Sequence, residues 1–181
     1  DWATSDGTAT FGAPVDYTQV TTTSETITAG NLTKTLTVNS TNDSVDEAVE
    51  TFTVDLTNPG NATISDSQGL GTLNDDDASP TLSIDDVTPT EGAVASFTVT
   101  LSAASEQTVT FDWATSDGTA TFGAPSDYTN TSNTGESIAA GSTTATLNVN
   151  TATDTVDEIN ETFTVTLSSP SNATLADATG Q

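Results

Sequence analysis

The sequence predicts an all-β protein built from two tandem antiparallel β-sandwiches. Threonine and valine, whose β-branched side chains favour strands, are abundant, and apolar residues alternate with polar ones in several segments. The stretch DWATSDGTATFGAP occurs twice, starting at Asp1 and at Asp112, which gives a repeat offset of 111 residues. No segment has the apolar period of a helix. A repeat of this length is typical of one β-sandwich.

Four segments carry the alternation of a strand that has one buried and one exposed face. In chain order they span residues 93–102, 107–116, 143–150 and 161–168. The apolar face of these strands is formed, in the same order, by Ala95, Phe97, Val99 and Leu101, by Val109, Phe111 and Trp113, by Ala145, Leu147 and Val149, and by Phe163, Val165 and Leu167.

Residues at equivalent positions of the two repeats also predict turns and aromatic residues in the core. Asp6-Gly7 and Asp117-Gly118 stand at the same place in the two repeats, and Asp-Gly pairs are typical of tight turns. Trp2 and Trp113 lie on the apolar face of their strand, so we expect both indoles in the core. We expect Tyr17 and Tyr128 to pack beneath the loops that contain them.

The predicted repeat boundaries are 1–77 and 78–181, and neither predicted repeat is complete. At the 111-residue offset, the first repeat begins at the third strand of the second. The second repeat stops before the counterpart of the strand predicted at 70–77. Two interpretations stay open: the chain is a window from a longer array, or its incomplete ends complete each other between molecules. The connection NDDDASP is short, so we expect successive domains to meet closely.

Acidic residues dominate the charge and exclude several classes of function. The chain has 26 Asp+Glu, one Lys+Arg and no His, for a formal net charge of -25. Such a surface repels phosphate, which excludes nucleic acids and anionic membranes as partners. Membrane insertion is not expected either, because no run of about 18 apolar residues is present. Without His or Cys, a Ser or Thr nucleophile lacks its usual base, so the chain is not expected to be an enzyme. A paired-carboxylate glycosidase is disfavoured because the acidic loops recur in both repeats.

The carboxylates concentrate in loops at the ends of predicted strands. TNDSVDEAVE, from Thr41, and TATDTVDEINE, from Thr151, occupy the same place in the two repeats. Carboxylates at 4 Å repel by about 1 kcal/mol per pair even in water, so a cluster favours a bound cation. Oxygen-only ligands suit calcium better than magnesium, although neither loop has the Gly and Glu positions of an EF-hand. The open alternative is a solvated acidic surface that maintains solubility.

The motifs VTPTEGAVASFTVTLS, VTFDWATSDGTATFGAPSDY, TVDEINETFTVTLS and GTLNDDD together resemble the Calx-beta domain. This domain is the calcium-binding sandwich of sodium–calcium exchangers and is also repeated in bacterial surface and adhesion proteins. The resemblance covers nearly the whole chain and implies an immunoglobulin-like sandwich with calcium ions in the loops at one end. The implied calcium ligands are Asp16, Asp43, Glu47, Glu50, Asp75, Asp76 and Asp77 in the first repeat, and Glu91, Asp127, Asp154, Glu158 and Glu161 in the second.

The resemblance further implies a calcium-stiffened structural or adhesive module of a large extracellular or cell-surface protein. Its expected partners are neighbouring repeats or other copies of the chain, and a surface receptor or glycan would be bound through other domains. Asn42 and Thr153 stand where the exchanger domains carry acidic residues, so we expect fewer or weaker ions. The alternative is a self-assembling filament or surface-layer subunit that polymerises by strand complementation between neighbouring chains.

Overall fold

β-Strands are the only regular secondary structure among residues 1–155 and 157–181, which are the residues that the computed structural model describes. No helix in this part of the chain is long and apolar enough to cross a membrane. The contacts divide the chain into two units. The first unit contains Asp1–Ser44 and Ala48–Asp76, and the second contains Val45–Glu47 and Asp77–Gln181.

The first unit contains one four-stranded antiparallel sheet of order β2-β1-β3-β4. Its small core consists of Ala9, Tyr17 and Phe52, against which Val38, Val54 and Leu73 pack while partly buried. Its strands are β1 (Trp2–Asp6), β2 (Thr21–Thr22), β3 (Glu50–Leu56) and β4 (Gln68–Leu73).

The second unit is a β-sandwich with one apolar core. Its strands are β5 (Thr81–Ile84), β6 (Val94–Leu101), β7 (Val109–Asp117), β8 (Ser132–Ile138), β9 (Thr144–Asn150), β10 (Phe163–Ser171), β11 (Thr174–Leu175) and β12 (Thr179–Gly180). They form two four-stranded sheets of order β12-β10-β7-β8 and β11-β5-β6-β9. Alternate residues of both sheets meet in one apolar core, whose fully buried members include Phe97, Phe111, Leu147 and Val165. The predicted all-β sandwich is confirmed.

Each of the four predicted strands is present, with bounds that shift by a few residues. The largest shift is in β10, which continues to Ser171 through an irregularity in its pairing with β7 after Ser168. Trp2 and Trp113 are both buried, as predicted from their position in the alternation. The strand β8 was not predicted from the sequence. Its sequence, SNTGESI, has no apolar alternation, and the strand is exposed along most of its length.

Some sequence-equivalent segments of the two units differ in structure. β9 pairs along its whole length with β6, and its Leu147 and Val149 are buried. Residues 33–39, at the 111-residue offset from β9, belong to no strand, and Val38 is only half-buried. The sheet of the first unit, β2-β1-β3-β4, does not include these residues. Two leucines of the first unit are largely exposed, with Leu32 94% and Leu70 71% accessible.

Candidate metal centres

Three loops of the second unit emerge at the same end of its sandwich. Val94, at the start of β6, pairs with Asn150 at the end of β9. Phe163, at the start of β10, pairs with Asp117 at the end of β7. The loops after β5, β7 and β9 are therefore neighbours, because antiparallel pairing places the start of one strand beside the end of the next.

These loops bring the acidic residues of the second repeat together. Asp127, Glu158 and Glu161 each place a carboxylate oxygen within 4.8 Å of the other two. The three residues line a cleft of about 860 Å³, which Glu91 and Asp154 also line. The backbone N–H of Asp154 donates a hydrogen bond of 2.8 Å to Oε1 of Glu91. All five residues implied as ligands in the second repeat thus lie at one cleft.

The electrostatics of this cleft are those of crowded like charges. The pKa of Glu158 is raised above its ordinary value, chiefly by repulsion from Asp154. Burial contributes next, followed by repulsion from Glu161, Asp127 and Glu91. Each of these effects disfavours the ionised carboxyl group of Glu158. A cation in the cleft would remove this repulsion.

Two further carboxylates line the same cleft and were not among the predicted ligands. Asp86 follows β5, and its Oδ1 accepts a hydrogen bond of 2.8 Å from the backbone N–H of Gln181. Asp157 lies between the predicted ligands Asp154 and Glu158. Its place in the acidic loop was the available sequence signal, whereas nothing in the sequence distinguishes Asp86 from other aspartates near strand ends.

Two of the equivalent residues of the first repeat are also close together in the first unit. Asp16 and Glu50 place carboxylate oxygens within 4.8 Å of each other, and Glu47 belongs to the segment assigned to the second unit. Asp16 is buried, and its Oδ2 accepts a hydrogen bond of 2.6 Å from the backbone N–H of Thr10. The counterpart bond in the second unit joins the Thr121 N–H to Oδ2 of Asp127 at 2.7 Å.

The other predicted ligands of the first repeat lie outside this group. Among the described residues, no cluster of three carboxylates within 4.8 Å includes Asp43, Asp75, Asp76 or Asp77. Asp43 corresponds to Asp154 at the repeat offset, and the three consecutive aspartates follow β4. Their role as ligands stays a prediction from the resemblance.

Asp46 has a structural role that the sequence did not predict. It belongs to the short segment of the second unit that the first acidic loop supplies, and it is 6% accessible. Its Oδ1 accepts a hydrogen bond of 3.0 Å from the Ser79 hydroxyl, and its Oδ2 accepts one of 2.7 Å from the Ser105 hydroxyl. At the repeat offset Asp46 corresponds to Asp157, which faces the acidic cleft. Equivalent aspartates thus have different surroundings.

A buried tyrosine directly follows Asp16 in the first unit and Asp127 in the second. Tyr17 and Tyr128 are each almost inaccessible, which confirms that they pack beneath their loops. Burial, and then a hydrogen bond to Asp6, raises the pKa of Tyr17 to about 12. Burial and a hydrogen bond to Asp117 raise the pKa of Tyr128 to about 12 in the same way. Both phenols are therefore protonated hydrogen-bond donors at neutral pH.

Comparison with known proteins gives a family match for both repeats. The model of the Calx-beta domain matches residues 1–86 and 75–180. No curated protein sequence matches the chain.

Among solved structures, the chain is similar to CBD12 from CALX1.2, with 18% identity and a TM-score of 0.45 over 93% of this chain and 66% of that one. It is also similar to the calcium binding domain CBD12 of CALX1.1, with 20% identity, a TM-score of 0.44 and the same coverage. The apo-form Calx CBD1 domain matches with 20% identity and a TM-score of 0.39, over 49% of this chain and 82% of that one. The chain spans just under two thirds of the length of the two CBD12 structures.

Proposed function

Because the chain belongs to the Calx-beta domain family over both of its repeats, we propose that it is a non-enzymatic, calcium-binding structural or adhesive module of a large extracellular or cell-surface protein. One observation carries the proposal. Asp127, Glu158 and Glu161 lie within 4.8 Å of one another through their carboxylate oxygens. The only basic side chain of the sequence, Lys34, forms an ion pair of 2.9 Å with Glu25. A cation from solution is therefore the natural partner of these carboxylates.

The donor set of the second unit fits calcium. Calcium takes six to eight oxygen ligands and tolerates several carboxylates in irregular geometry, whereas magnesium requires a small octahedron and retains water. Asp127, Glu158 and Glu161 would hold the ion, with Glu91 and Asp154 beside them in the cleft. The repulsion that raises the pKa of Glu158 supports this assignment, because a bound cation would offset it.

A structural role follows from the energetics of binding. An ion that binds only the folded protein stabilises it by about 2.7 kcal/mol when its concentration is a hundred times Kd. Extracellular calcium modules have Kd on the order of 10⁻⁴–10⁻³ M, which matches millimolar calcium outside cells. For a chain with 33% hydrophobic residues, such a contribution is a large part of the stability.

Thermal unfolding tests calcium binding directly. We expect about 10 mM calcium to raise the unfolding midpoint above that in EDTA by about 5–10 °C for a chain of this length. Magnesium at the same concentration should have a much smaller effect. Asp127→Asn should reduce the calcium-dependent rise, whereas Asp112→Asn, a matched change at an aspartate that accepts a hydrogen bond from the Gly135 N–H, should preserve it. An identical midpoint in calcium and EDTA would instead support a solvated acidic surface.

Calcium is also proposed to stiffen the junction between successive repeats. The proposal is supported by the run Asp75 to Asp77, which the resemblance assigns to the calcium site of the first repeat and which ends that repeat. Small-angle X-ray scattering tests this part. We expect the distribution of interatomic distances to narrow when calcium replaces EDTA. An unchanged distribution would mean that calcium stabilises each unit separately and does not stiffen the junction.

The second candidate function is self-assembly by strand complementation. It is favoured by the first unit, where residues 33–39 belong to no strand and Leu32 and Leu70 are largely exposed. An exposed, unpaired segment beside an apolar surface can accept a strand from another chain. Analytical ultracentrifugation discriminates the two functions: a monomer in calcium supports the repeat module, and open-ended polymers support the filament subunit.

A further inference from the structure

The Asp-Gly turns of the two units make the same hydrogen bonds to the following loop. In the second unit, Oδ1 of Asp117 accepts bonds from the Tyr128 hydroxyl at 2.7 Å and from the Phe122 N–H at 3.1 Å. In the first unit, Oδ1 of Asp6 accepts bonds from the Tyr17 hydroxyl at 2.7 Å and from the Phe11 N–H at 3.0 Å. One carboxylate oxygen in each unit therefore ties the start of the loop to its end.

The tyrosine held by this carboxylate packs against the first residue of β10, the strand that follows the second acidic loop. The Tyr128 ring stacks on Phe163 with a centroid distance of 4.5 Å and an interplanar angle of 15°. Tyr128 directly follows Asp127, and Phe163 lies two residues after Glu161. The stack thus fixes the backbone beside both carboxylates. Tyr17 stacks on Phe52 in the same way at 4.6 Å, beside Asp16 and Glu50.

The backbone of Asp127 is fixed from both sides as well. Its N–H donates a hydrogen bond of 2.9 Å to the Thr121 carbonyl, and its carbonyl accepts one of 2.8 Å from the Ala152 N–H. Gly118 makes the turn that begins this loop possible, because a Cβ there would collide with the Thr162 carbonyl oxygen. These hydrogen bonds and the close approach at Gly118 together constrain the loop between Asp117 and Tyr128.

We propose that Asp117 and Tyr128 are positioning residues for the calcium site of the second unit, and that Asp6 and Tyr17 have this role in the first. Asp117 binds no ion; it holds the Tyr128 ring against Phe163, and the ring holds Asp127 and Glu161 at the separation that the ion requires. The inference rests on the proposed calcium function. Groups that orient metal ligands typically change metal affinity by about 10- to 100-fold when they are removed.

Two substitutions at one position separate positioning from simple charge. Asp117→Ala removes the acceptor of both hydrogen bonds, so we expect calcium affinity at the second unit to fall by about tenfold. Asp117→Asn removes the negative charge but keeps a side-chain oxygen that can accept both bonds, so it should retain most of the affinity. Asp112→Ala, on the same strand and bonded to the Gly135 N–H, is the matched control and should bind calcium normally.

The two tyrosines of the chain, one in each unit, give a reading for each site separately. Protein labelled with 3-fluorotyrosine should show two fluorine resonances, and each is followed during calcium titration at a temperature well below the unfolding midpoint. In Asp117→Ala, the Tyr128 resonance should titrate at higher calcium while the Tyr17 resonance titrates as in the unsubstituted protein. A general loss of stability would not produce this selective change.

The possible results distinguish the inference from the function on which it rests. If neither resonance of the unsubstituted protein responds to calcium and calorimetry detects no binding, the proposed function is wrong and the inference falls with it. If the unsubstituted protein binds calcium and Asp117→Ala has the same affinity, only the inference is overturned. Equal weakening by Asp117→Ala and Asp117→Asn would also overturn it, because charge rather than positioning would then account for the effect.

Discussion

Aspartates of this chain have three different roles at the scale of single residues. Asp127 belongs to a group of three carboxylates that would hold an ion, Asp117 accepts hydrogen bonds from a buried tyrosine and a loop amide, and Asp46 is buried between two serine hydroxyls. The chemistry of the side chain is the same in each case. What differs is the neighbouring groups, because two other carboxylates lie beside Asp127 whereas the groups bonded to Asp117 and Asp46 are hydrogen-bond donors.

Glu158 should affect stability and calcium binding in opposite directions. Glu158→Gln removes one member of a repelling group, so we expect a higher unfolding midpoint in EDTA. The same substitution removes a ligand, so calcium affinity should fall by at least about tenfold. Thermal unfolding in EDTA and calorimetric calcium titration measure the two effects. A lower midpoint in EDTA would contradict the repulsion that raises the pKa of Glu158.

The direction of the pH dependence follows from the same residue. Because the pKa of Glu158 is raised in the folded state, its protonation favours folding, and this contribution is lost as pH rises through the folded pKa. In EDTA, mild acidification from neutral pH should therefore increase the contribution of this group to stability. In calcium, protons compete with the ion, so acidification should reduce the stabilisation by calcium. The Glu158→Gln variant should lack this residue's part of both effects.

Sequence reasoning identified carboxylates but not their surroundings. The five residues that the resemblance to the Calx-beta domain implies as ligands in the second repeat lie at one cleft, because the loops that carry their motifs emerge at the same end of the sandwich. Asp46 and Asp157 could not be distinguished, since they occupy the same place in their repeats. Ser79 and Ser105, which surround Asp46, are distant from it in sequence, and no local pattern indicates that contact.

At the scale of strands, pairing with a neighbouring strand decides whether a segment with strand-like alternation forms a strand. Residues 33–39 and β9 share the threonine-rich alternation of a strand, yet only β9 is one. β9 exchanges hydrogen bonds with β6, and the pair buries Leu147 and Phe97 against the second sheet. Strand propensity is a weak preference, and side-chain packing against a neighbouring strand supplies most of the stability. The alternation of β9 forms a strand because β6 pairs with it along its whole length.

Hydrogen exchange should show this difference between equivalent segments. We expect the backbone amides of β9 to be protected, because they lie in a ladder that opens only with the sandwich. The amides of residues 33–39, which lie in no strand, should exchange much faster under the same conditions. Mass spectrometry of peptides from both segments provides the comparison within one sample. Equal protection would indicate that another chain pairs with residues 33–39 in solution, as the filament function requires.

At the scale of the whole molecule, the repeat made the fold predictable and the charge makes it dependent on solution conditions. The family match and the two sheets of the second unit confirm the predicted Calx-beta sandwich. The 26 Asp+Glu are opposed by one basic residue, which leaves a formal net charge of -25. A compact chain brings these charges closer than an unfolded one does, so self-repulsion opposes folding.

Calcium should stabilise the protein more than sodium chloride does at the same ionic strength. Raising monovalent salt from about 0.01 M to about 0.15 M shortens the screening length from about 30 Å to about 8 Å. In EDTA, we therefore expect the unfolding midpoint to rise with sodium chloride. Calcium at matched ionic strength should raise it further, because it acts on Asp127, Glu158 and Glu161 at short range as well as by screening. Thermal unfolding in the two salts measures the difference, and Asp127→Asn should reduce only the additional rise due to calcium. Equal midpoints at matched ionic strength would show that general screening accounts for the whole effect, and the acidic clusters would then have no selective affinity for calcium.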